Sequence, residues 1–220
     1  MGFEKMHVGN RVKEGRDRNP NDHYPTPPIA TYALHLHERL PQRIWEPAAG
    51  RGWMARELAR LGYDVHATDL HQYEEQLFDV WPWIDFIDPS IRLDVDAIVT
   101  NPPYGQDMAE KFIHSAHKLG YLYTAFLCRL TFAESTRRYR NLFRDTPPTR
   151  VLAFTARFNC DESLFDEGKQ LGGMVPYAWW IWDRRDTEGR WTTTTQLKWI
   201  DTLEANRLWL TETASIPALR

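Results

Sequence analysis

Cysteine is scarce in this 220-residue chain: there are 2, Cys128 and Cys160, each in an apolar stretch. Two thiols so placed build neither a disulfide framework nor a zinc motif, and they read as buried thiols of a reducing compartment. Long hydrophobic runs are missing too. Nothing approaches the ~20 apolar residues that cross a bilayer, and the opening residues mix Met, Glu, Lys and His without the apolar centre of a signal peptide. A soluble, cytoplasmic protein without a membrane partner is expected. Positive charge is not in excess: 27 Lys and Arg face 30 Asp and Glu, so a net −3 gives no whole-molecule field to gather a polyanion. His35 with His37, and His114 with His117, have no carboxylate or cysteine beside them at ligand spacing, so no metal is expected. Internal repeats and nucleophile motifs are lacking, and nothing indicates an oligomeric state.

Aromatics, by contrast, are abundant: 10 Trp, 9 Tyr and 10 Phe fill a core and leave Trp81, Trp83 and the 179–182 run for stacking surfaces. The length suits one sizeable core, and a single domain over 22–220 is expected behind a polar, mobile arm over 1–21. From Tyr24 a Pro-punctuated start becomes a helix ending near Leu40. The pattern then predicts strand 43–47, helix 53–61, strand 63–69, a short strand near Trp83–Ile87, strand 95–100, helix 107–119, strand 121–128 and helix 133–144. Such alternation makes an α/β fold whose sheet is mostly parallel, with helices on both faces. Strands 150–156 and 176–183, split by the Gly-rich acidic loop 160–175, predict a C-terminal antiparallel hairpin. Thr195 to Leu210 has helical spacing.

Two segments carry chemistry. Asn101-Pro102-Pro103-Tyr104 follows the apolar run Val95–Val99, so a buried strand ends in a stiff turn. Proline pushes the residue before it to an extended conformation, and neither proline has an N–H. The turn therefore forms a small cup, with acceptor oxygens from the Asn101 side chain and the Pro102 backbone and the Tyr104 ring as its roof. That suits a planar amine, although N-P and P-P also mark ordinary turns.

The other segment runs Ile44-Trp45-Glu46-Pro47-Ala48-Ala49-Gly50-Arg51-Gly52, then a helix, then a strand ending at Asp69-Leu70. Gly50 and Gly52 allow positive φ and close approach to a ligand. Asp69 lies about 20 residues past the turn, where such folds set an acid against a ribose hydroxyl pair. Dinucleotides and S-adenosylmethionine both use this layout, and a bare structural βαβ unit shares it. A dinucleotide wants G-x-G-x-x-G beneath its pyrophosphate, but position 55 is Ala and Glu46 precedes the turn. A carboxylate there repels pyrophosphate and suits an ammonium, which favours S-adenosylmethionine.

Taken together, these residues resemble the amino-group DNA methyltransferases, most closely the adenine-specific (N6) group and its small phage-type members. The resemblance spans roughly residues 22–185. Asp22, Tyr24, Thr26 and Pro27 match the family's N-terminal cofactor segment, Glu46 to Gly52 its glycine loop, and Asp69 its ribose acid. Asp85-Phe86 resembles the pair that holds the cofactor adenine, with Asp88 close enough to compete. Asn101 to Tyr104 resembles the catalytic motif. Phe126 to Ser135, Arg129 included, matches the next strand and helix, and Ala178 to Trp182 the last sheet strand. Phe158 falls where the family places a base-stacking aromatic, although an aromatic at a strand end is commonly core.

The resemblance implies a Rossmann-like, seven-stranded sheet whose last strand inserts between the fifth and sixth. It also implies S-adenosylmethionine as cofactor and transfer of a methyl group to adenine N6 in flipped-out DNA, in a bacterium or phage-infected host. No separate target-recognition domain follows Trp182, so short elements (residues 131–150, the loop 160–175 or the tail) would set specificity. Three alternatives stay open: an RNA adenine methyltransferase, a protein-glutamine methyltransferase using the same cup, and a non-catalytic nucleic-acid-binding module. Arg137, Arg138, Arg140 and Arg144, with Arg150, and the N-terminal Lys5, Arg11, Lys13, Arg16 and Arg18 are candidate phosphate contacts. On a regular helix Arg137, Arg140 and Arg144 share a face and Arg138 turns about 100° away.

Overall fold

Along each central strand, side chains alternate between two apolar layers. Ile44, Ala97, Val99, Tyr123, Ala125, Leu127, Trp179 and Ile181 enter one core, while Trp45, Ile98, Phe126, Cys128, Ala178, Trp180 and Trp182 enter the other. A period of two with both faces covered is the signature of a sheet sandwiched between helices. The computed structural model describes residues 24–214. In chain order the elements are α1 (Pro28–His37), β1 (Arg43–Glu46), α2 (Trp53–Arg60), β2 (Asp64–Thr68), β3 (Val80–Trp81), β4 (Ala97–Thr100), α3 (Met108–Lys118), β5 (Tyr123–Arg129), α4 (Thr136–Arg138), β6 (Arg150–Phe154), β7 (Tyr177–Asp183), β8 (Gln196–Ile200) and α5 (Thr202–Ala214). The sheet order is β3-β2-β1-β4-β5-β7-β6-β8. Every pair is parallel except those of β7, which inserts antiparallel between β5 and β6. Helices α1, α2 and α5 cover the first core and α3 the second.

The fold class and the inserted hairpin strand are as expected. Four details differ. The sheet has 8 strands rather than seven, because Gln196–Ile200 pairs with β6 instead of forming the start of a helix. The helix begins only at Thr202, after Asp201, whose Oδ1 accepts the N–H groups of Leu203 and Glu204 (both 3.1 Å) as an N-cap. The short strand near Trp83–Ile87 is displaced to Val80–Trp81. There the chain turns instead: Trp83 has φ of 65° and Asp85 Oδ1 accepts Ile87 N–H at 2.9 Å.

The expected helix 133–144 is broken. Ser135 caps a single turn over Thr136–Arg138, and a π turn follows over Tyr139–Phe143. That turn sets Phe143 flat on Trp180, at 5.6 Å and 14°, so packing overrides helical propensity. The arm over 1–21 with its basic residues, and Asp22, lie outside the described residues. No helix among the described residues is long and apolar enough to cross a membrane.

Arg150 does not join a phosphate-contacting patch. It opens β6, where Nε and Nη2 donate to Glu38 (both 2.7 Å) and Nη2 also reaches Asp183 at 2.8 Å. Asp183 in turn takes Arg185, and these two arginines hold its carboxyl down at about 2 despite the opposing effect of burial. Glu38 is 9% exposed, so removing its cation leaves a charge with little access to water. We expect Arg150→Ala to lose about 3–5 kcal/mol of stability in urea denaturation. A loss no larger than a surface pair's, about 1 kcal/mol or less, would show that Glu38 is rehydrated.

Candidate active site

Strands β1, β2 and β4 run parallel, so their carboxyl ends open on one edge, where sheets of this kind bind ligands. A cleft of about 440 Å³ lies there. Its wall includes Tyr24, Thr26, Glu46, Pro47, Ala48, Asp69, Leu70, Asp85, Phe86 and the whole of Asn101 to Tyr104. Segments more than 70 positions apart in sequence thus meet at one spot. Pro27 and the two glycines stand behind the wall. Pro27 is the N-cap of α1, followed by Pro28 at the first helical position, where a missing N–H costs nothing. Gly50 and Gly52 have φ of 56° and 92°, and a Cβ on Gly52 would lie 2.7 Å from that of Phe78. Only glycine fits this turn.

Glu46 is the most unusual group on the wall. It is 1% exposed, at the end of β1, and accepts the backbone N–H of Ala55 in the first turn of α2. Its Oε2 has no hydrogen-bond partner among the described residues. Burial, and then the nearby Asp69 charge, push its carboxyl up to about 8, while the Ala55 bond pulls it down. A buried oxygen left unpaired costs about 1–3 kcal/mol, so the site has an acceptor in place for a cationic donor.

Asp69 is 7% exposed; Oδ2 accepts from Gly50 N–H and Oδ1 from His71 N–H, both at 2.8 Å. It braces the glycine turn while still lining the cleft. Asp85 lies on the cleft wall, whereas Asp88 is engaged by Ser90 and borders a separate groove. Phe86 is 1% exposed, between Trp45 and Phe112.

Asn101, one residue beyond β4, has a fixed amide. Nδ2 donates to the Tyr24 carbonyl (3.2 Å) and Thr26 Oγ1 (3.1 Å), which ties the start of α1 to the cleft and aims Oδ1 the other way. Oδ1 lies 2.5 Å from the Tyr104 hydroxyl, which is also 2.8 Å from the Leu127 carbonyl. Burial raises the Tyr104 phenol well above its ordinary range, so it stays a donor. The ring still lines the cleft. It tucks its hydroxyl under Asn101, with Tyr177 at 6.3 Å and the Arg129 guanidinium 5.4 Å from its centroid.

Phe158 does not reach the cleft. It is 2% exposed, 4.4 Å edge-on to Phe154 and 6.3 Å from Tyr177, and Tyr177 stands between it and Tyr104. The bridge to Leu171 and the close approach of Gly173 to its carbonyl seal it into the core.

The arginine run is also altered, because the π turn breaks the shared face. Arg137 pairs with Asp107 and, at 3.0 Å, with Glu110, and Arg144 forks onto Asp145. Arg138 turns inward onto the Phe132 carbonyl and ring. Arg140 stays exposed.

The wall also includes residues that the motifs do not single out, chiefly Arg51, Trp53 and Met54 in and after the glycine turn, and Met108 and Phe112 on α3. Position between or directly after the two glycines is the signal that marks the first three. Glu162, from the loop 160–175, accepts Arg51 Nη1 (2.8 Å) and Trp53 Nε1 (2.7 Å), so that loop docks against the glycine turn.

The raised Glu46 carboxyl makes a stability prediction. Between its ordinary 4.5 and about 8 the folded protein holds a proton that the unfolded chain has released, so stability falls as pH rises through that window. Urea stability of the protein should drop by a few kcal/mol from the acid to the alkaline end of the window. Glu46→Gln should flatten that slope and exceed the parent in stability at its alkaline end. Parallel pH profiles for the two proteins would mean that the carboxyl is hydrated.

No protein-family model and no curated protein matches this sequence. Among solved structures, the chain superposes on a candidate RNA methyltransferase from Pyrococcus horikoshii with a TM-score of 0.52 at 16% identity, covering 74% of this chain and 88% of that one. It superposes on a modification subunit of a candidate type I restriction enzyme from Vibrio vulnificus YJ016 with a TM-score of 0.51 at 12% identity, covering 90% of this chain and 54% of that one. At these identities the likeness is one of fold: the chain has the Rossmann-like sheet of these methyltransferases.

Proposed function

We propose that the protein is an S-adenosylmethionine-dependent methyltransferase acting on the exocyclic N6 amine of adenine in nucleic acid, with DNA as the first substrate to test. The observation that carries this reading is the pairing of two polar groups in one cleft. Asn101 offers a carboxamide oxygen whose direction is fixed by Tyr24 and Thr26, and Glu46 offers a buried carboxyl oxygen without a partner among the described residues.

The residues fit the cofactor. Glu46 would receive the methionine ammonium, Asp69 the ribose hydroxyls, and Asp85 with Phe86 the adenine ring, with the Tyr24–Pro27 segment closing one side. When bound, the cofactor supplies an electrophilic methyl group on its sulfonium.

The chain's own task is to prepare the amine. The N6 lone pair is delocalised into the ring. Accepting its two hydrogens on Asn101 Oδ1 and the Pro102 carbonyl favours a pyramidal nitrogen with the lone pair free. This is positioning and electrostatic preorganisation, and the spare proton leaves to solvent once the nitrogen is substituted. The Tyr104 hydroxyl now holds Asn101 Oδ1, so the incoming amine either displaces it or takes the second lone pair of the same oxygen. A paired base cannot reach such a cup and must leave the duplex.

Asn101→Ala should reduce kcat about 10²–10³-fold and leave cofactor affinity within a few-fold. Radiolabelled methyl transfer to DNA, RNA and a glutamine-containing peptide checks this and separates the three substrate classes. Near-normal turnover of the variant on every substrate removes Asn101 from the reaction.

Glu46→Gln should weaken S-adenosylmethionine binding about 10-fold or more, because a charged hydrogen bond contributes about 1.5–3 kcal/mol. At neutral pH, cofactor binding by the parent should also release a proton from Glu46, seen as a buffer-dependent enthalpy in calorimetry. Equal affinities with no proton release would place the ammonium elsewhere.

A further inference from the structure

Of the arginine run, Arg140 stays exposed on the π turn, and the others are committed within the protein. Arg137 is bound by Asp107 and Glu110, Arg144 by Asp145, and Arg150 by Glu38 and Asp183, while Arg138 is folded onto Phe132. Arg51, on the cleft wall, is bound by Glu75 and Glu162. Each pair spends the fork of donors that would otherwise reach a ligand.

Arg129 is different. It is the last residue of β5, exposed at the same strand edge as the cup, and it forms no ion pair among the described residues. β5 lies beside β4 with Val99 opposite Ala125 and Thr100 opposite Phe126. Arg129 lies three residues beyond the last of these pairs, at the carboxyl end of β5 beside the turn that follows β4. The guanidinium lies over the Tyr104 ring, 5.4 Å from its centroid. Its charge acts on both Tyr104 and Tyr177, opposing the burial that raises those phenols. Resting on an aromatic face uses the flat side of a guanidinium and leaves its N–H edges free. The side chain is thereby ordered in advance, which lowers the entropy cost of gripping a ligand.

We propose that Arg129 is the substrate-binding cation of this protein, contacting a backbone phosphate next to the target nucleotide at the rim of the Asn101 cup. The planar, charged fork suits two phosphate oxygens. The inference rests on the nucleic-acid reading above and assigns the anchoring contact to β5 instead of the run Arg137 to Arg144.

The test uses the full chain with Arg129→Ala, Arg129→Lys and, as a control far from the cleft, Arg207→Ala on α5. Methyl transfer to a short duplex and to its single strand is followed over a salt series, with cofactor affinity measured in parallel. For Arg129→Ala the oligonucleotide KM should rise about 10-fold or more, with kcat at saturation and cofactor affinity preserved. The slope of log KM against log salt should fall by about 0.9 on duplex or about 0.7 on single strand, one phosphate's worth. Arg129→Lys keeps a point charge without the fork, so it should restore the slope and only part of the affinity. Arg207→Ala should match the parent.

An unchanged KM and slope in Arg129→Ala, with the parent active on nucleic acid, overturns the inference and leaves the proposed function standing. So does a loss of cofactor affinity or kcat in place of KM, because that is what loosening the Tyr104 packing alone would produce. A parent protein that methylates neither DNA nor RNA overturns both.

Discussion

The central strands of this sheet are covered on both sides, and that constraint decides where polar chemistry can sit. Trp45, Phe126 and Trp182 fill one layer; Tyr123, Trp179 and Ile181 fill the other, all at 0–1% exposure. A charged group in either layer would have to be desolvated and paired, as Glu38, Arg150 and Asp183 are at the amino edge. The carboxyl ends of parallel strands escape this restriction because the chain leaves the sheet there. Glu46, Asp69 and Asn101 all stand at or one residue beyond such ends, so the cleft is a consequence of strand direction as much as of any one motif.

Within the cleft, the protein has satisfied some polar groups and left others with capacity. Asn101 spends its N–H₂ on Tyr24 and Thr26, which orients the amide, and keeps its oxygen toward Tyr104. Asp69 spends one oxygen on Gly50 of the glycine turn and the other on the N–H of His71. Glu46 Oε2 is left without a partner among the described residues. Leaving that oxygen unpaired is a cost to the fold, offset by the packing around it, and it raises the proton affinity of the carboxyl. A ligand cation would relieve the cost, which is how a destabilised group becomes a source of binding energy. Glu162 extends the same arrangement outward, because it joins Arg51 and Trp53, in and after the glycine turn, to the loop between β6 and β7.

Charge illustrates why composition says little about substrate. The near balance of 27 basic and 30 acidic residues hides a specific pairing. Arg137 and Arg144, which look like part of a phosphate track in sequence, are answered by Asp107, Glu110 and Asp145, whereas Arg129 is answered by an aromatic ring. A formal charge attracts a polyanion only when the fold has not already neutralised it at close range.

The sequence by itself determined the alternation of strands and helices, the C-terminal antiparallel hairpin, and the meeting of Glu46, Asp69 and Asn101 at one edge; the insertion of the last strand and the place of Asp85 were what the family resemblance implied. The first group follows from local signals: period-two apolar runs, glycines where φ must be positive, and prolines that stop a strand. Tertiary structure alone decided what short-range pattern does not encode. Trp180 needs Phe143 flat against it, so the expected helix 133–144 breaks into a π turn and the shared arginine face is lost. The open edge of β6 accepts Gln196–Ile200 as an eighth strand, although the spacing there also fits a helix; the boundary is marked only by the Asp201 cap. Phe158 is drawn between Phe154 and Tyr177 instead of the cleft, since an aromatic at a strand end goes to whichever apolar neighbour the fold supplies. Tyr104 turns its hydroxyl inward because the Leu127 carbonyl and Asn101 Oδ1 lie on either side of it, and residues on two different strands cannot announce that proximity in their own sequence.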